Sequence, residues 1–60
     1  MKKMLVLDCS WAMAQFLTDN FNHDKIPFGT TVTGYGRAVV VIYAVDLERA
    51  EKYAHGWKEL

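Results

Sequence analysis

The sixty residues contain a single cysteine, Cys9, so no disulfide can form within the chain. A structural zinc site takes about four ligands, mostly Cys and His. Cys9, His23 and His55 lie too far apart in sequence to suggest one. An excess of charge of either sign is also missing: seven Lys and Arg balance seven Asp and Glu. That balance argues against a dedicated nucleic-acid binder, which carries a basic stripe. It argues equally against a strongly acidic DNA mimic and against a polybasic membrane-surface helix. No apolar run approaches the ~18 residues that a membrane-spanning helix requires. There is one proline, and there are four glycines, three of them between residues 29 and 36. No repeat, low-complexity stretch or linker divides the chain, which reads as a single domain over residues 1–60.

What the chain does have is apolar residues, 52% of the total. A domain of this size buries only about 60% of the surface its unfolded chain exposes, and small domains usually need a disulfide, a metal or a partner chain. With the first two disfavoured, a partner is the expectation. The start, "MKKMLVLDCSWAMAQF", imitates a secretory leader, with Lys2 and Lys3 before an apolar run and Ala12-Met13-Ala14 after it. Asp8 interrupts that run, and the expectation is a cytoplasmic protein without a targeting segment.

Residues 4–8, "MLVLD", read as a short strand. Ser10 is placed to cap a helix over residues 11–22. At about 100° per residue, Met13, Phe16, Leu17 and Phe21 fall on one arc, and Gln15, Thr18, Asp19 and Asn22 on the opposite one. Pro27 ends helical structure at Ile26. "TTVT" is β-favouring and polar, as an edge strand should be, and "GYG" at 34–36 reads as a hairpin turn. The next stretch, "RAVVVIYAV" at 37–45, is apolar on both faces and is expected to be the central strand. Asp46 is placed to cap a last helix over roughly 47–60, with Leu47, Ala50, Tyr53, Ala54, Trp57 and Leu60 on one stripe and a Glu48–Lys52 pair on the other side. The expected architecture is α+β, in the order β-α-β-β-α, with both helices on one face of a three-stranded sheet.

Two short helices cover one face of such a sheet, and nothing in the remaining sequence covers the other. Either the small set Ala38, Val40, Ile42 and Ala44 or the bulkier set Val39, Val41, Tyr43 and Val45 therefore meets water or another protein. The leading functional expectation is a small non-catalytic regulatory or inhibitor-type protein that binds another protein, itself, or both through this face. Its size and neutrality associate it with bacterial and phage regulators. The expected contact residues are Trp11, Tyr35, Val39, Val41 and Tyr43; no cofactor, metal, nucleic acid or membrane is expected.

A second class of function comes from "VLDCSWAMAQFLTDN". This stretch resembles the opening of a PIN-domain ribonuclease: an apolar strand, an Asp, a small residue, a Ser, then an apolar helix closing in acidic residues. The resemblance implies a metal-binding carboxylate at Asp8, and the alternative built on it is a minimal metal-dependent ribonuclease or toxin, for which this chain offers Asp24 or Asp46 as extra ligands. It covers residues 6–20 only. PIN domains are longer and carry further catalytic acids on later helices and strand ends, where this chain has its glycine-bounded hairpin and "VVVIYAV". Cys9 reads as a small buried hydrophobe, and "TGYGR" lacks the spacing of a phosphate loop.

Overall fold

The structure, a computed structural model, describes residues 3–60. Lys2, part of the leader-like start, lies outside the described residues. The fold is α+β. Strand β1 (Met4–Ser10) leads directly into helix α1 (Trp11–His23), followed by β2 (Phe28–Gly34) and β3 (Arg37–Tyr43). A 3₁₀ turn (Ala44–Asp46) then precedes a one-turn helix α2 (Leu47–Ala50) and a two-residue strand β4 (Lys58–Glu59). The strands form an antiparallel sheet in the order β2-β3-β1-β4. The sheet thus has four strands rather than three, and the valine-rich strand is interior as expected. It ends at Tyr43, two residues short of the expected limit.

Helix α1 begins where the sequence places it. The Ser10 hydroxyl accepts a hydrogen bond from the Met13 amide at 3.1 Å, which satisfies one orphan donor of the first turn. It ends in a Schellman-type cap. The Ile26 amide donates to the Phe21 carbonyl at 2.8 Å and the Lys25 amide to Asn22 at 3.3 Å, with Lys25 in the left-handed region at φ 59°. Ile26 is thereby returned to the core beside Phe21.

Strand alternation decides which side chains face α1. Leu5, Leu7 and Cys9 from β1, and Ala38, Val40 and Ile42 from β3, point to the helix side and are buried. The smaller of the two β3 sets is therefore the inner one. From α1 the buried residues are Ala14, Leu17 and Phe21, so the buried stripe is rotated relative to the expected arc. Met13 and Phe16 lie at its margin, 39% and 50% exposed. The small side chains of Ala14 and Ala38 let the helix settle over the sheet on a narrow stripe. Phe21 is fully buried among three other rings: Phe28 at 6.0 Å, and Tyr53 and Trp57 at 6.1 Å between centroids.

The expected long C-terminal helix does not form. After Ala50 the chain makes a turn, and Gly56 at φ 98° reverses it. Residues 58–59 then pair with β1, and the Leu60 amide donates to the Met4 carbonyl at 3.0 Å. Most of the apolar stripe is nonetheless real in its burial: Leu47, Ala50, Tyr53, Ala54 and Trp57 pack on the same core, from a turn instead of a continuous helix, whereas Leu60 is 75% exposed. Two gains outweigh helix propensity here. The exposed edge of β1 acquires a partner, and the Tyr53 and Trp57 rings reach Phe21. Asp46 makes no side-chain cap; its buried carboxylate instead receives a hydrogen bond from the Arg49 guanidinium at 2.5 Å. Lys52 sits over the Tyr53 ring, its ammonium 5.7 Å from the centroid.

Candidate functional site

The sheet's second face carries Met4, Val6 and Asp8 from β1, Val39, Val41 and Tyr43 from β3, and Gly29 and Thr31 from β2, as the strand registers dictate. None of these residues belongs to the buried core, which lies wholly on the α1 side. Val6, Val39, Val41 and Tyr43 are half-buried, and Met4 is 39% exposed. Helix α1 packs on the opposite side of the sheet, and the α2 residues Leu47 and Ala50 join that same core. Gly29 contributes to the relief of this outer face. With no side chain there, and open space where one would project, a hollow of about 260 Å³ opens between Met4, Pro27, Val41 and Tyr43. Its walls are largely apolar.

Of the five expected contact residues, Val39, Val41 and Tyr43 share this face. Tyr35 stands at the tip of the β2–β3 turn and is fully exposed. Trp11 belongs elsewhere. It is 51% exposed in the first turn of α1, on the wall of a second hollow of about 260 Å³ between α1 and β2. That hollow is also lined by Ala14, Gln15, Thr18, Thr30 and Val32. The contact residues thus divide between two surfaces, the outer sheet face and the α1–β2 groove. Val6 and Met4 are outer-face members that the sequence reading did not single out; their alternation with Leu5 and Leu7 was the available signal.

The carboxylates that a metal-dependent nuclease would use are not brought together. Asp8 lies on the outer face, where its carboxylate accepts a hydrogen bond from Arg37 at 3.2 Å, both side chains being exposed. Asp24 and Asp46 lie at the other end of the strands. Asp24 accepts a hydrogen bond from the Tyr53 hydroxyl through its carboxylate and one from Arg49 through its backbone carbonyl at 3.4 Å. Arg49 in turn holds the Asp46 carboxylate. Among the described residues there is no cluster of three or more His, Cys, Asp or Glu side chains suited to a metal ion. His55 lies 3.7 Å from the carboxylate of Glu51.

Two groups have displaced titrations. Burial pushes the Cys9 thiol upward; Arg37 pulls it down and Asp8 adds a smaller push up. Cys9 is therefore held as a thiol, the less nucleophilic form. The Tyr53 phenol is raised, first by its hydrogen bond to Asp24, then by desolvation and by the charge of the same carboxylate.

Compared with known proteins, the chain matches no family model, no curated sequence and no solved structure. The resemblance of residues 6–20 to a PIN-domain opening rests on those residues alone. Among the described residues, no helix is long and apolar enough to cross a membrane.

Proposed function

We propose that this is a non-catalytic binding protein of the cytoplasm, regulatory or inhibitory in role, which engages another protein through the outer face of its sheet. The observation that carries the reading is the apolar row Met4, Val6, Val39 and Val41, flanked by Tyr43, which lies outside the core and over which no described helix packs. Apolar area removed from water contributes about 25 cal/mol per Å², so covering a few hundred Å² is worth several kcal/mol. The hollow beside Gly29 offers a socket for one protruding apolar side chain of the partner. The exposed Asp8–Arg37 pair at the rim offers charged groups for orienting the encounter.

The test is site-specific photocrosslinking in cells. A crosslinking residue at Val41 should give a discrete adduct with another protein, and the same residue at Asp19, on the solvent side of α1, should give none. Adducts from both positions alike, or from neither, would refute the reading. Asp8→Ala separates this function from the nuclease alternative: the Val41 adduct should still form, more slowly once the rim charge is gone, whereas a metal-dependent activity would be abolished by it.

A further inference from the structure

The sheet has two edges, and they are treated differently. The β1 side is closed by β4, two residues with exposed charges, Lys58 and Glu59. The β2 side is open along a full strand of seven residues, Phe28–Gly34, of which all but Phe28 are exposed and none is charged. Edge strands are commonly protected by Lys, by Pro or by a bulge. Here the bulge falls at the far end, between Val32 and Gly34, and residues 28–32 pair regularly with β3. We propose that two copies of this chain join antiparallel through this β2 edge, centred on Thr30, to make one continuous eight-stranded sheet.

The chemistry of the edge fixes the kind of occupant. Alternate residues of an edge strand direct both backbone N–H and C=O outward, and the protein partner that matches such a row is another extended strand. An uncharged edge meets no like-charge repulsion from its own copy. In the register centred on Thr30, Val32, 61% exposed in the single chain, lies opposite Phe28 of the other copy. Thr31 lies opposite Gly29, where open space is available for it. The α1–β2 groove with the half-exposed Trp11 on its wall runs along the same strand, so the second copy also covers a surface that the outer face does not include.

Area argues for the same assembly. Three full strands of seven residues present an outer face of about 14 by 23 Å, roughly 330 Å² in plan. A specific interface takes about 600–1,000 Å² from each partner. One copy falls short of that range, and two copies joined edge to edge enter it at about 660 Å² in plan. The dimer is thereby the unit that gives the proposed outer-face binding its footprint. Only this last step rests on the outer-face reading; the edge pairing stands on its own.

Sedimentation equilibrium over micromolar to millimolar concentrations tests it. The wild-type mass should rise from 6.9 kDa toward twice that value. Thr30→Lys, which sets two ammonium groups opposite each other, should weaken dimerisation about tenfold or more. Val41→Lys on the outer face should leave the dimer unchanged. A constant 6.9 kDa at every concentration overturns the proposal. So does a dimer abolished by Val41→Lys and untouched by Thr30→Lys, which would be face-to-face. Should Thr30→Lys fail to fold by circular dichroism, amide exchange on the wild type decides. The outward-directed amides of β2 should gain protection as concentration rises, and concentration-independent exchange refutes edge pairing. An intact edge dimer with no adduct from Val41 supports the edge and sinks the outer-face reading alone.

Discussion

Val40→Thr and Val41→Thr make the same near-isosteric exchange, a methyl for a hydroxyl, on adjacent residues that point to opposite sides of the sheet. Val40 is fully buried and pairs across the strands with Leu7 and Thr30. A hydroxyl placed there loses its water, and an unsatisfied buried donor costs about 1–3 kcal/mol. Val41 is half-buried on the outer face, where water reaches a hydroxyl, and the cost should stay below about 0.5 kcal/mol. A sixty-residue domain holds about 3–9 kcal/mol in all, so the first change removes a large share of it. Urea unfolding followed by far-ultraviolet circular dichroism, at concentrations dilute enough to keep the chain monomeric, reads the difference. With a slope of about 1 kcal/mol per molar for a chain this small, the midpoint should fall by about 1–3 M for Val40→Thr and by less than about 0.5 M for Val41→Thr. Equal shifts would mean that both faces are dry, and the case for an uncovered face would be lost.

Gly56 adopts φ 98°, and a β-carbon there would meet only the Leu7 Cδ1 at 3.5 Å, an ordinary contact. Gly56→Ala should therefore cost about 1–2 kcal/mol through backbone strain alone, seen as a lower melting temperature; an unchanged melt would mean that the turn is not needed. Because burial keeps Cys9 protonated, a thiol reagent at neutral pH should label it slowly in the native protein and rapidly in denaturant, and fast native labelling would contradict its burial. For Tyr53 the raised titration means that the fold favours the neutral phenol. The stabilisation is complete below the ordinary tyrosine value of about 10 and is lost as pH climbs through the higher native value. Absorbance at 295 nm should show a late-titrating component that is missing in Tyr53→Phe; a late component that survives in the variant would exclude the Asp24 hydrogen bond as the cause.

Legibility followed the range of the interactions. The cap at Ser10, the hairpin turn around Tyr35 and the interior place of residues 37–43 depend on neighbours a few positions away, and periodicity and turn chemistry expose them. The end of α1 was marked by Pro27, but its cap was hidden, because the left-handed position is held by Lys25 instead of a glycine. The C-terminal segment misled for a different reason. Its 3.6-residue stripe described which side chains are buried, Leu60 excepted, and a turn followed by a short strand buries the others. Helix and turn could be separated only by knowing that β1 had an open edge and that Phe21 lay within reach of two rings. The outer face was legible as a surplus of apolar positions on one strand. The separation of Trp11 from that face was not, since it depends on the docking side of α1.

The quartet of rings around Phe21 draws on α1, on β2 and on the irregular tail, segments far apart along the chain. The tail cannot peel away alone, because its departure would flood the middle of the molecule with water. Loosening should therefore be collective: a nick or a strained residue near the carboxyl terminus would be felt at once in the distant hairpin, and the protein should melt as one body despite how little regular structure its last ten residues contain.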